Sequence, residues 1–141
     1  LLLERANYYM DFLKTGHDDT KGGAWEMENN CIFCKIAAKE IPSNVVYEDD
    51  KMIVFHDISP AAPVHVLAIP KKHIDSVLAL TAEDESLMGH MMHVMAKVAA
   101  DLGVDEKGFR IVTNTKEDGG QTVNHLHFHL IGGRSMEWPP G

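Results

Sequence analysis

Residues 125–131 read His-Leu-His-Phe-His-Leu-Ile. A strand sends successive side chains to opposite faces, so His125, His127 and His129 share one face while Leu126, Phe128 and Leu130 share the other. Few patterns restrict a fold as strongly. The segment is predicted to be a strand with one face in an apolar core and three imidazoles roughly 6–7 Å apart along the other. Each buried imidazole needs partners for its ring nitrogens, which favours a reaction centre or a metal site over plain packing. Alternating histidines can converge on zinc. A solvated polar face is the remaining alternative, although Ser, Thr or Lys would serve it equally well.

The rest of the chain supplies a sheet for this strand. Asn44 to Tyr47, Lys51 to Asp57, Val64 to Ile69 and Gly108 to Asn114 read as four more strands, rich in Val and Ile and bounded by turn residues. The acidic run Glu48-Asp49-Asp50 reads as a turn ahead of Met52. A short helix is expected over Cys31 to Lys39, ending before Pro42. A long helix is expected after Thr81, whose spacing to Asp84 approximates a capping box, with Leu87, Met91, Met95, Val98 and Leu102 as its buried stripe. The expected fold class is α+β: about five mostly antiparallel strands with helices on one face. The Glu117-Asp118-Gly119-Gly120-Gln121-Thr122 segment reads as a loop whose glycines would let successive amides form an anion-binding nest.

At 141 residues and 45% hydrophobic composition the chain has enough material for one core. A net charge of −8 with no basic stripe argues against a nucleic-acid partner, but not against a small phosphorylated ligand. No apolar run approaches the ~18–20 residues of a membrane span. Residues 1–26 read as an N-terminal extension of open role, with a helical stripe of Leu2, Ala6, Tyr9 and Leu13 and a linker at Thr20-Lys21-Gly22-Gly23. The folded domain is expected over 27–141. Cys31-Ile32-Phe33-Cys34 is too sparse for a disulfide scaffold and points to a reducing cytoplasm. Two thiols make half of a tetrahedral zinc site; two ordinary reduced cysteines are the alternative.

Together these residues resemble the histidine triad (HIT) family, whose defining pattern is His-φ-His-φ-His-φ-φ with φ apolar; residues 125–131 match it at every position. The resemblance extends through Phe55-His56-Asp57-Ile58-Ser59-Pro60, Ile69-Pro70-Lys71-Lys72-His73-Ile74 and Asp118-Gly119-Gly120-Gln121, over about residues 30–141. The ending Trp138-Pro139-Pro140-Gly141 is similar to that of the Hint branch, the histidine triad nucleotide-binding proteins. The resemblance implies a HIT-like fold and a homodimer that binds purine nucleoside monophosphates. It implies hydrolysis of the P–N bond of nucleoside phosphoramidates through a nucleotidyl-histidine, with no metal needed for the chemistry.

Carried over by position, His127 is the implied nucleophile, His129 the phosphate-oxygen donor, His125 the supporting ring, and His65 the fourth histidine beside them. The outward nitrogen of His127 is expected to bond a backbone carbonyl. Asp57 matches the carboxylate that accepts the ribose hydroxyls, and Ile41, Phe55, His56 and Ile58 match the base pocket. Asn114, Gly120, Gln121 and Thr122 match the phosphate-side loop, and Trp138 matches a residue that reaches toward the partner subunit's site. Some relatives of this kind bind zinc through residues matching Cys31, Cys34, His73 and His125, which implies a structural zinc here. Read without the resemblance, Asp57 could simply cap a turn and Trp138 could be packing. Two other functions stay open: a dinucleoside polyphosphate hydrolase of another HIT branch, and a nucleotide-binding regulatory module with incidental catalysis. A zinc hydrolase using the histidine row as ligands would need a further acid or base, for which no motif is present.

Overall fold

The computed structural model describes residues 30–141; the expected N-terminal extension lies outside the described residues. A short helix, α1 (Ile32–Ala37), is followed by β1 (Val45–Glu48), β2 (Met52–His56) and β3 (Val64–Pro70). Two single 3₁₀ turns, Val77–Ala79 and Ala82–Asp84, lead into the long helix α2 (Glu85–Asp101). The chain ends with β4 (Phe109–Val112), a one-turn helix α3 (Lys116–Gly119) and β5 (Phe128–Gly132). The strands form one five-stranded sheet in the order β1-β2-β3-β5-β4, antiparallel throughout. The expected α+β architecture is therefore present, as are the five strands and the long helix.

The helices do not share a face, contrary to the expectation from sequence. α2 buries Met91, Val94, Met95, Val98 and Ala99 against Met52, Val54, Val66, Ala68, Leu126, Phe128 and Leu130. α1 covers the opposite face, packing Ile32, Phe33 and Ile36 against Ile53, Phe55, Leu67 and Ile69. Coverage on both sides explains why β2 and β3 are unbroken buried runs rather than alternating ones. Each such side chain contributes about 1.5–3 kcal/mol through its burial. Leu87 and Leu102, expected in the α2 stripe, lie only half-buried at its ends, and Val94 and Ala99 take the inner positions.

Local signals account for most of the boundaries. Asp49 organises the β1–β2 turn by accepting the backbone N–H groups of Lys51 and Met52 at 2.8 and 2.9 Å. The Asp84 carboxylate accepts from the Thr81 amide at 3.0 Å, so the predicted box caps the 3₁₀ turn that precedes α2. Cys31 caps α1 through its sulfur, which accepts from the Cys34 amide at 3.4 Å.

β5 starts at Phe128, three residues later than predicted. Its ladder with β3 runs from Val64↔Gly132 to Ala68↔Phe128, a register that would next set Leu126 opposite Pro70. Proline has no N–H to give, so the ladder stops there. The Leu126 amide turns away to the Ile74 carbonyl at 2.6 Å, and the Pro70 carbonyl is taken by His125 Nε2 at 2.8 Å.

Candidate active site

All three histidines of the row are buried on the α1 side of the sheet, and Phe33 from α1 stands edge-on to two of them, 6.0 Å from the His125 ring and 5.1 Å from the His127 ring. The row divides into two sites. His125 joins Cys31, Cys34 and His73, and the four potential ligand atoms all lie within 4.8 Å of one another. His125 Nδ1 is 3.3 Å from Cys31 Sγ and 3.5 Å from Cys34 Sγ, and His73 Nδ1 is 3.1 Å from Cys34 Sγ. Ligands at zinc–sulfur and zinc–nitrogen distances around a tetrahedral ion lie about 3.5 Å apart, close to these values.

The tautomers agree with such a site. His125 Nε2–H donates to the Pro70 carbonyl at 2.8 Å, and His73 Nε2 faces an Asp75 carboxylate oxygen at 2.8 Å. Each ring therefore turns its Nδ1 lone pair toward the sulfurs, with an oxygen behind it, as metal-bound histidines do. Burial pushes His125 down to about 4, so it is neutral at physiological pH, as a ligand must be. No disulfide joins Cys31 and Cys34. These four residues fit a Cys₂His₂ zinc ion closed to further ligands.

The second site contains His127, His129, His65 and Asp57. His127 Nδ1 lies 2.7 Å from the His125 carbonyl, and a carbonyl can only accept, so Nδ1 carries a hydrogen and the lone pair of the neutral ring falls on Nε2. Thr113 holds the same stretch of backbone by donating its hydroxyl to the His127 carbonyl at 2.9 Å. The His127 and His129 rings are 5.1 Å apart, as are His129 and His65. His65 Nδ1 accepts the Ala61 amide at 2.9 Å, so His65 carries its hydrogen on Nε2. That hydrogen points to His129 Nδ1 at 2.9 Å, with an Asp57 oxygen 3.5 Å away. His129 is thus a neutral ring whose own N–H is on Nε2. An acceptor nitrogen on one ring beside a donor nitrogen on the next is an arrangement that can serve nucleophilic attack with stabilisation of developing negative charge.

Beside this pair is a pocket of about 290 Å³, lined by Ile32, Ile36, Ile41, Pro42, Ser43, Asn44, Phe55, His56, Asp57 and Ile58. All five residues assigned to the nucleoside side, Ile41, Phe55, His56, Asp57 and Ile58, meet there. Asp57 also caps a turn, accepting the Ser59 amide at 2.8 Å, as expected of this residue when it is read without the resemblance.

Asn114, Gly120, Gln121, Thr122 and Trp138 do not line that pocket. The nest expected at Gly120–Gln121 is not built from those two amides: the Gly120 and Gln121 N–H groups bond the Glu117 and Lys116 carbonyls, closing α3. Gly120 takes φ 79°, where glycine avoids a Cβ penalty, and acts as the left-handed cap of that helix. The Gln121 side chain braces the segment, donating to the Asp75 and Val123 carbonyls and accepting the Lys116 amide. Trp138 is 82% exposed on the C-terminal tail.

Reading the sequence missed Ile32, Ile36, Pro42, Ser43 and Asn44 in the pocket, and Ala61 and Asp75 behind the histidines. The i, i+4 spacing of Ile32 and Ile36 was a usable signal for one apolar wall. Nothing in the sequence marks which backbone amide will face a ring nitrogen.

A family model described as "Scavenger mRNA decapping enzyme C-term binding" matches residues 30–138. An uncharacterized HIT-like protein of Synechococcus elongatus is 51% identical over 115 residues, covering 82% of this chain and all of the relative. A 14 kDa zinc-binding protein of Brassica juncea is 51% identical over 113 residues, covering 78% of this chain and 98% of the relative. A crystal structure of a HIT family hydrolase from Legionella pneumophila superposes with a TM-score of 0.78 at 48% identity, covering 79% of this chain and 99% of that one.

Proposed function

Because this chain belongs to the histidine triad (HIT) family, we propose that it is a hydrolase of the Hint type, cleaving the P–N bond of purine nucleoside phosphoramidates and releasing the nucleoside monophosphate. The observation that carries this reading is the bond from His127 Nδ1 to the His125 carbonyl at 2.7 Å, which makes Nε2 the nitrogen that bears the lone pair when the ring is neutral, the state in which it attacks.

The purine and ribose occupy the pocket of Ile32, Ile41, Phe55 and Ile58, where apolar walls take the base and Asp57 accepts the ribose hydroxyls. A carboxylate has about four lone-pair positions, so the Ser59 amide leaves room for them. His127 Nε2 attacks phosphorus of a phosphoramidate already protonated on its nitrogen; the N–P bond to imidazole forms as the bond to that nitrogen breaks, and the amine leaves neutral with the proton it carried. His129 donates Nε2–H to the phosphoryl oxygens, whose charge a preorganised donor stabilises. Water then cleaves the nucleotidyl-His127. Splitting the displacement in this way replaces one difficult step with two easier ones.

Zinc held by Cys31, Cys34, His73 and His125 supplies structure, pinning α1 to the segment that precedes β5. The working form is a homodimer in which Trp138, exposed on its own protomer, reaches toward the partner subunit's site. Among the described residues no helix is long and apolar enough to cross a membrane.

The test is to incubate the protein and its His127→Ala variant with an adenosine phosphoramidate and, separately, with diadenosine tetraphosphate. AMP release from the phosphoramidate, lost by a factor on the order of 10³ or more in the variant, supports the reading. Preferential cleavage of the tetraphosphate moves the protein to another HIT branch. Tight AMP binding without turnover of either would sink the enzyme reading.

A further inference from the structure

We propose that Arg134 is a positioning residue that fixes the hydrogen pattern of His65 and His129 from outside the pocket. Its catalytic consequence rests on the function proposed above; its effect on the tautomers does not.

Arg134 follows β5 and reaches back to the connection between β2 and β3. Its Nε and Nη2 both donate to the Ala61 carbonyl, at 3.2 and 3.1 Å, while Nη1 donates to the Ser135 carbonyl at 3.1 Å. Ala61 is the residue whose amide meets His65 Nδ1 at 2.9 Å. An amide can only donate, so this contact obliges His65 to keep its hydrogen on Nε2. That hydrogen in turn obliges His129 to accept at Nδ1, 2.9 Å away, and to keep its own on Nε2. The Ala61 amide at Nδ1 and the Asp57 oxygen 3.5 Å from Nε2 act in the same direction on His65, and one guanidinium holds the residue that carries the amide.

At the base of the connection the Asp57 amide donates to the His65 carbonyl at 3.0 Å, a bond that does not involve Ala61. Pro60 and Pro63 have no N–H, and the Ser59 amide is used by Asp57. Gly133 seats the connection from below: its φ is +88°, and a Cβ there would come within 2.9 Å of Pro63 Cβ. Seating limits approach but does not set direction; the two donors on one carbonyl do. If Ala61 drifts, His65 can carry its hydrogen on Nδ1 instead, and Nε2 becomes an acceptor. His129 must then place its hydrogen on Nδ1, and the donor aimed at the phosphoryl oxygens is lost. No proton enters or leaves; two neutral rings change tautomer together.

The experiment uses the full chain labelled with ¹⁵N at histidine, without substrate, comparing wild type with Arg134→Ala, Arg134→Lys and Ala61→Pro. We expect wild-type His65 to show a single Nε2–H tautomer. Arg134→Ala should give a mixture, together with a roughly 10-fold fall in kcat and a nearly unchanged KM. Arg134→Lys retains one donor and should recover most of both signals. Ala61→Pro deletes the amide while leaving Arg134 in place, and should reproduce the mixed His65 signal. Unchanged His65 and His129 nitrogen signals in Arg134→Ala overturn the proposal, whether or not turnover falls; a fall without a tautomer change would place the effect in the tail that carries Trp138. Altered signals in a protein that cleaves no phosphoramidate would uphold the tautomer control and sink the proposed function instead.

Discussion

Two neighbours in the histidine row, His125 and His127, are the same residue on the same face, yet they present opposite nitrogens. At the thiol end, His125 and His73 turn Nε2 toward oxygens and aim Nδ1 at sulfur. At the next position, His127 gives Nδ1–H to a carbonyl, which leaves Nε2 as the nitrogen for the lone pair of the neutral ring. Spacing along the chain brings imidazoles together, but the atom behind each ring decides what it can do. A ring backed at Nε2 is prepared to hold a cation in a closed shell. A ring backed at Nδ1 is prepared to attack with the more exposed of its nitrogens.

The most direct way to break this comparison is to exchange the expected losses. His127→Ala should remove phosphoramidate turnover by a factor on the order of 10³ while leaving the thermal midpoint nearly in place. The pair Cys31→Ser and Cys34→Ser should do the converse, lowering stability by several kcal/mol while activity per folded molecule persists. Stripping metal with a chelator should match the cysteine variants in a melting experiment, with metal content read in parallel. Prompt loss of turnover at unchanged stability would instead make the thiol end part of the chemistry.

A smaller effect sharpens the contrast through pH. Burial holds His125 at about 4 in the folded protein, against an ordinary value of 6.5. The unfolded chain therefore binds the proton first, and the stability of the metal-stripped protein should fall as pH drops from about 6.5 toward 4, by about 3 kcal/mol in all. Denaturant midpoints across that window, in wild type and His125→Ala, would check it: the variant should lose the slope.

The smallest expected change lies far from both sites. Burial pushes the Asp49 carboxyl up, but the bonds from His90, the Lys51 amide, the Tyr47 hydroxyl and the Met52 amide outweigh it and hold it well below the usual carboxylate range. Asp49→Ala should cost about 1–2 kcal/mol in a denaturant titration and leave turnover unchanged, since the turn serves the sheet and neither histidine site.

The parts of the molecule that were legible in the sequence are those set by side-chain period. Val and Ile enrichment between turn residues marked the strands, the i, i+3, i+4 recurrence marked α2, and alternation in the triad announced its own face. The unbroken apolar runs of β2 and β3 also carried a message, that both faces are covered, and reading helices onto one face passed over it. What stayed illegible depends on where backbone amides point. Gly119-Gly120 reads equally as an anion nest or as the end of a helical turn, and the choice rests on φ angles that a glycine pair leaves open. The early end of the β5 ladder needed the register against β3 before Pro70 could be seen opposite Leu126. Ala61 and Arg134 are unremarkable letters until folding sets one amide against His65.

The double use of His125 has a consequence for how such a protein can change over time. Its ring serves the thiols, but what orients His127 is its carbonyl, which every amino acid possesses. Mutation can therefore erode or discard the cysteine site, one ligand at a time, without rewriting the instruction that arms the neighbouring ring. The thiol end is open to drift, whereas the orientation of His127 is inherited through the main chain, in the carbonyl that any residue at position 125 supplies.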